Sequence, residues 1–172
     1  MSETKVIGID LGATNIRAGL VHEGNIHTIQ SKRIKSAGTV EEVLADFYLL
    51  IDTLLDNEVV AIGIGVPSVV DLAKGIVYDV QHIPSWKEVP LKEILEKKYK
   101  LPVYVNNDAN CFALGEFHFG KGRGKSDMIG LSIGTGLGGG AIVNKHLFAG
   151  SNCGAGEFGM VDYLDHNYEY YA

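Results

Sequence analysis

The sequence predicts an α/β fold built on a mixed sheet, with elements in the order β-β-β-α-β-α-β-α. Three observations carry that expectation. Residues 5 to 34 hold three strand-like runs separated by turns, helical periodicity takes over at Thr39, and apolar runs then alternate with helical stretches as in crossover-connected parallel strands.

The opening strands are "KVIGID", "IRAGLV" and "IHTIQSKRI", the last two joined across "HEGN". Gly24 and Asn25 are read as the turn pair there, because both tolerate positive φ. From Thr39 onward Val43, Leu44, Phe47, Leu50, Ile51 and Leu54 recur at helical spacing, and Thr39 with Glu42 forms a capping box. "VVAIGIGVP" (59–67) is apolar nearly throughout, as a strand covered on both faces would be, and Pro67 ends it. A helix is expected at about 90–99. "LPVYVNN" (101–107) then reads as a strand, with "DANCFALGEFHFG" a helix opening directly at its end.

Beyond "GKGRGK", read as a solvated link, "DMIGLSIGT" and "GGAIVN" are two strands around a glycine turn, a smaller version of the opening hairpin. The repeat implies two related lobes. Their expected extents are 1–119 for the first lobe and 120–172 for the opening portion of a second, truncated one.

Composition narrows the function. A chain of 172 residues, 46% of them hydrophobic, can bury a real core. Its net charge of −6 and pI near 5.4 disfavour nucleic-acid binding through bulk electrostatics. The two cysteines, Cys111 and Cys153, form no Cys-x-x-Cys pair, so neither a disulfide framework nor a zinc ribbon is encoded. No apolar run approaches membrane-spanning length, and the start resembles no signal peptide. A cytoplasmic protein with a small-molecule partner, neither membrane-bound nor nucleic-acid-bound, is expected.

Four stretches carry chemistry. In "DLGATN" (10–15), glycine lets backbone amides approach an anion, the Thr14 hydroxyl can donate to it, and Asp10 can hold a hydrated metal ion near phosphate oxygens. An ordinary hairpin turn likes the same residues. "GTGLGGG" (134–140) has the G-x-G-x-x-G spacing at Gly134, Gly136 and Gly139, but a strand follows where a dinucleotide fold needs a helix, leaving a hairpin whose exposed amides grip phosphate. "GRGKS" (122–126) ends like a P-loop, yet Phe119 stands where that loop needs glycine. In "NNDAN" (106–110), Asp108 follows a strand and starts a helix, where it can cap the helix or take a proton from a bound hydroxyl, with Asn106 and Asn107 offering amides to neighbouring hydroxyls. "GSNCGAGEFG" (150–159) carries one acid, Glu157, able to clamp sugar hydroxyls or simply to sit on a surface loop.

In this order, "DLGATNIRAGL", "GVPSVVD", "NNDANCFALGE", "SIGTGLGGGAIVN" and "GAGEFG" closely resemble the ROK family of bacterial sugar kinases, repressors and open reading frames, over about Val6 to Gly159. The resemblance implies the actin-like, ribonuclease-H-like sugar-kinase fold and an ATP-dependent kinase for a hexose or aminohexose, glucose being the default. It implies Asp108 as the base that deprotonates the attacking hydroxyl, and Asn107 and Glu157 as sugar contacts. Asp10 would hold Mg2+, usually through water, and Gly12, Thr14, Gly134, Thr135 and Gly136 would hold phosphate.

The sequence also departs from the family pattern. Met160 replaces a histidine that in many members binds zinc with a downstream cysteine cluster, so no zinc is expected. Pro67-Ser68 stands where a proline-glycine pair is common, and His82 where an asparagine is typical, which places Ser68 and His82 among the expected sugar-pocket residues. Family kinases are roughly twice as long, so the chain reads as the N-terminal half, short of the part that would hold adenine. The repressors of the family carry a helix-turn-helix ahead of the first strand, for which this sequence leaves no room. A regulator-like or non-catalytic sugar-binding module is the alternative. Many members are dimers, which leaves a homodimer open here, although no stripe of residues marks its contact.

Overall fold

The computed structural model describes residues 4–134 and 136–160. The chain folds as two compact units, Met1–Asp108 and Ala109–Ala172. The first contains β1 (Lys5–Leu11), β2 (Asn15–His22), β3 (Asn25–Arg33), α1 (Val40–Leu54), β4 (Val59–Val66), β5 (Val69–Asp71), β6 (Ile76–Tyr78), β7 (Glu88–Val89), α2 (Leu91–Tyr99) and β8 (Val103–Asn107). Five strands form one mixed sheet in the order β3-β2-β1-β4-β8, antiparallel across the opening meander and parallel from β1 through β4 to β8.

Period-two alternation decides which face of this sheet is buried. Ile7 and Ile9 of β1 lie level with Ile62 and Ile64 of β4, which lie level with Val103 and Val105 of β8. All six are buried and share one core with the apolar stripe of α1, with Leu91 and Leu95 of α2, and with Trp86 stacked on Phe47 at 5.6 Å between ring centroids. At the start of α1 the expected capping box is present. The Thr39 hydroxyl accepts from the Glu42 N–H at 3.3 Å, and the Thr39 N–H donates to Glu42 Oε2 at 2.9 Å.

Among the described residues, one charged side chain enters this core. Asp46 of α1 is 2% exposed and accepts the Lys35 N–H at 2.9 Å, while its other oxygen pairs with Lys32 Nζ at 3.0 Å. The carboxylate thus clips the end of β3 and the chain leaving it onto the helix.

Two features differ from the sequence expectation. The β2–β3 turn places positive φ on Glu23 (50°) and Gly24 (75°), with Asn25 already in β3. The turn pair is therefore one residue earlier than Gly24-Asn25, and the Asn25 side chain braces it by donating to the Glu23 carbonyl at 3.3 Å. Between β4 and α2, where the sequence pattern assigned no element, a small antiparallel sheet forms in the order β5-β6-β7.

The second unit contains α3, which runs Asp108–His118 and so begins on the last residue of the first unit, then β9 (Met128–Ile133), β10 (Leu137–Val143), β11 (His146–Phe148) and a 3-10 turn over Phe158–Met160. The order β11-β10-β9 repeats the antiparallel meander that opens the chain. Glycines let α3 sit on it: a Cβ on Gly140 would lie 2.7 Å from the Ala113 Cβ, one on Gly130 3.0 Å from the same atom, and one on Gly138 3.0 Å from the Ala109 Cβ. That close approach puts α3 from Ala109 onward with the second unit, whereas the sequence placed the lobe boundary after residue 119.

Asp46→Ala should lower the urea-unfolding stability by about 1 kcal/mol, because it removes the acceptor of the part-buried Lys35 N–H while Lys32, one-third exposed, can swing into water. Gly140→Ala should lift α3 from the meander at a cost of about 1–3 kcal/mol. Hydrogen exchange should report that loss in the amides of α3 and β10, with those of β1 and β4 unchanged.

Candidate functional site

Parallel strands present their carboxyl ends along one edge of a sheet, where loops leave the backbone and side chains escape the core. In the first unit β1, β4 and β8 all end on that edge. Asp10, Gly65 and Asn106 lie at one level across the three strands, and Val66 is level with Asn107. Two strand spacings separate the Asp10 and Asn106 backbones, about 10 Å. Asp108 follows at once, half-buried, as the first residue of α3, whose amide end accommodates negative charge. The edge thus gathers Asp10, Asn106, Asn107 and Asp108 from three separate stretches of sequence.

The bend after Asp10 is closed by the Gly12 N–H, which donates to the Asn15 carbonyl at 2.9 Å. Gly12 is small there for a steric reason, since a Cβ would sit 3.0 Å from that same oxygen. With this amide committed to the turn, the groups displayed at the tip are those of the exposed Ala13 and Thr14. The Thr14 carbonyl in turn accepts from the Ile34 N–H at 3.0 Å, tying the tip to the end of the meander.

Ser68 and Asn107 are brought together. The Asn107 side-chain amide donates to the Ser68 carbonyl at 3.4 Å, joining the ends of β4 and β8. The Ser68 hydroxyl is turned to the Tyr78 carbonyl, which anchors the loop after β4 to β6. The Asn106 side chain accepts the Asn107 N–H at 2.8 Å. His82 stands apart from these contacts, exposed on the loop before Trp86 with φ 65°, a left-handed backbone that histidine and asparagine adopt more readily than most residues.

In the second unit, the Gly134 N–H donates to the Gly136 carbonyl at 2.9 Å, making a tight bend between β9 and β10. Gly134 is exposed, with open space where a Cβ would be; Thr135 lies outside the described residues. The next glycines serve packing. Gly138 and Gly140 admit α3, and a Cβ on Gly139 would fall 2.4 Å from the Phe158 ring. Phe158 thus seats the Glu157 loop on β10. Gly156, at φ 96°, passes so close to Gly139 that a Cβ would meet its carbonyl at 2.5 Å. Glu157 itself is exposed, and the Met160 N–H donates to its carbonyl at 3.1 Å.

Two residues of this geometry went unread in the sequence. Phe158 is the anchor of the Glu157 loop, and Arg17 lies directly opposite Asp10 with Nη1 3.4 Å from Oδ2. Hairpin arithmetic would have found Arg17, since a bend pairing Leu11 with Ile16 pairs Asp10 with residue 17.

Among the described residues, no three His, Cys, Asp or Glu side chains gather into a metal-ligand group. A magnesium ion carried in with a polyphosphate needs less. It keeps several waters and is held by one or two carboxylates plus phosphate oxygens. Asp10 fits that demand: its carboxylate is 54% exposed at the sheet edge and already draws a cation, Arg17.

The model of the ROK family matches residues 6–167. The chain is 39% identical over 157 residues to a glucokinase of Streptomyces coelicolor, covering 90% of this chain and 49% of that protein. It is 37% identical over 161 residues to a xylose repressor of Caldicellulosiruptor bescii, covering 90% of this chain and 40% of that one. Among solved structures, a ROK family glucokinase from Streptomyces griseus in complex with glucose and AMPPNP superposes with a TM-score of 0.83 at 36% identity, over 93% of this chain and 51% of that one. The chain therefore spans about half the length, or less, of the curated relatives it matches. With an actin-like sheet, five motifs in order and a family match over nearly its whole length, this chain belongs to the ROK family.

Proposed function

We propose that this chain carries the sugar-binding and catalytic-base half of an ATP-dependent sugar kinase, which transfers the γ-phosphoryl group of ATP to a hydroxyl of a hexose or aminohexose. The observation that carries the reading is the meeting of Asp10, Asn107 and Asp108 at the shared carboxyl edge of β1, β4 and β8. It is supported by the likeness to glucokinases, one of them solved with glucose and an ATP analogue.

In this reading Asp108 accepts the proton of the attacking hydroxyl. The hydroxyl oxygen forms a bond to the γ-phosphorus as the bond from that phosphorus to the β,γ-bridging oxygen breaks, and ADP leaves with the electron pair. The protein's share is positioning and charge neutralisation. Asn107, fixed by the Ser68 carbonyl, orients a neighbouring sugar hydroxyl, and His82 and Ser68 shape the same pocket. Gly12 and Thr14 set the phosphate bend, with Asp10 holding Mg2+ through water; when bound, the ion neutralises phosphate charge. Within the second unit, the bend at Gly134, Thr135 and Gly136 is assigned to phosphate and Glu157 to sugar hydroxyls. The reading places the protein in the cytoplasm, where ATP is available; no described helix is long and apolar enough to cross a membrane.

A second reading, a sugar-responsive regulator without transfer, is favoured by one observation, the 37% identity to a xylose repressor. Titration calorimetry of the 172-residue chain with glucose, mannose, N-acetylmannosamine and xylose separates the two when joined to a coupled ADP assay. The kinase reading expects selective heat with a hexose or aminohexose, but turnover by this chain alone far below the ordinary value of about 10 per second. In a polypeptide extended by the second half of a ROK kinase, turnover should appear, and Asp108→Asn should cut it by about 100-fold or more while sugar affinity stays within about threefold. Hexose binding with no transfer in the extended polypeptide would favour the regulator. Asp108→Asn retaining more than about a tenth of turnover would remove Asp108 as the base.

A further inference from the structure

We propose that His22 and His27 form a binding site for a divalent first-row transition ion such as Zn2+ or Ni2+, one that fastens the edge strand β3 to β2. The site lies at the turn end of the β2–β3 hairpin, level with the opposite end of β1 from Asp10, and its occupancy is independent of phosphoryl transfer.

Strand alternation alone would separate these two residues. Along β3 the register sets Gln30 level with Ala18, Ile29 with Gly19 and Thr28 with Leu20, then slips, so that Ile26 rather than His27 is level with Val21. His27 is thus the extra residue of a β-bulge. Without the bulge His27 would stand opposite Val21 and face away from His22, because neighbours along a strand alternate sides. With it, the two imidazoles lie 5.6 Å apart between ring centroids, tilted by 45°. Two imidazoles on one ion, with metal–nitrogen bonds of about 2.0–2.1 Å, hold their ring centres about 4.5–6.5 Å apart, depending on the bond angle. The observed spacing falls inside that range.

The nitrogens and the local charge support the same reading. His22 Nε2 is buried and finds no hydrogen-bond partner among the described residues, and a buried polar atom left so calls for a water or an ion. His27 is exposed and supplies the second nitrogen from the solvent side. Lys5 lies level with His22 on the neighbouring strand, but its ammonium is taken by two carboxylates, Asp56 at 2.8 Å and Glu58, which leaves that corner net negative. Neutral imidazole nitrogen suits zinc, nickel and copper, whereas Mg2+ prefers oxygen. With two protein ligands, waters complete the coordination.

The test titrates the 172-residue chain with Zn2+ at about pH 7.5, where a free imidazole is neutral, and follows the ring signals of His22 and His27, with Mg2+ as the control. Cys111 and Cys153 are thiols that can also take Zn2+, so the ring signals are read rather than total uptake. Both rings should shift together and saturate below about 1 mM Zn2+, and Mg2+ should move neither. His22→Phe removes the buried nitrogen and keeps a ring; His27→Gln removes the exposed imidazole. Each should weaken Zn2+ binding at the remaining ring by about tenfold or more, since two ligands tethered to one ion reinforce each other. The thermal midpoint without metal should stay within a few degrees of the unsubstituted chain. His22→Gln is read by the same criteria if His22→Phe fails to fold. Rings that saturate at different Zn2+ concentrations, or do not shift below about 1 mM, would overturn the proposal. So would a single-histidine variant that binds Zn2+ at its remaining ring within about twofold of the unsubstituted chain.

Discussion

The parallel pairing of β1 with β4, and of β4 with β8, is the constraint on which the rest of the structure depends. It alone carries Asp10, Ser68 and Asn107, scattered over about a hundred residues of sequence, to one edge. The pairing is held by apolar side chains rather than by the site itself. Ile7, Ile9 and Leu11 must face the same core as Ile62, Ile64 and Val66, and a slip of one residue would turn Asp10 into that core and Leu11 into water. A buried carboxylate without a partner costs far more than the slip could return. The aliphatic pattern of β1 therefore specifies where its acid goes.

Much of this was legible because burial writes itself into sequence period. The stripe of α1 and its capping box, the strand at β4 and the strand-to-helix junction at Asp108 all follow from elementary patterning, and the structure has each of them, although Val60 of β4 stays exposed where cover on both faces was expected. The small sheet did not show, since strands of two or three residues offer no window in which alternation can be seen. The β2–β3 turn was displaced by one residue for a related reason. Gly24 and Asn25 are the better left-handed residues by propensity, but strand register decides which pair turns, and it placed Glu23 there.

The glycine run in the second unit shows where residue type misleads. Five glycines within seven residues looked like one anion grip. Packing divides them: Gly138 and Gly140 make room for α3, Gly139 for the Phe158 ring, and only the bend at Gly134 and Gly136 remains open for a ligand. Both bends spend a glycine amide on closing themselves, Gly12 to Asn15 and Gly134 to Gly136. Neighbouring groups must then make whatever contacts a phosphate receives. The two meanders share a topology but differ in substance, since β1 and β2 carry the charged Asp10 and Arg17 next to their bend, whereas β9 ends next to its own on the exposed apolar Ile133.

The departures from the family pattern acquire a physical meaning on this frame. Position 68 has no positive φ, so serine in place of glycine costs no backbone strain. Its hydroxyl gains the Tyr78 carbonyl, while its own carbonyl still receives the Asn107 amide. The serine therefore adds a tie between the β4 loop and the small sheet without disturbing the strand-end contact. His82 differs in kind. Its left-handed backbone is one that asparagine, the residue typical there, adopts easily and that histidine also tolerates, so the loop can keep its course while an amide gives way to an imidazole. An amide offers a donor and an acceptor from one planar end; a neutral imidazole offers them from opposite sides of a ring. Of the two departures, His82 changes the hydrogen-bonding groups that its exposed loop displays, and Ser68 stiffens the loop after β4.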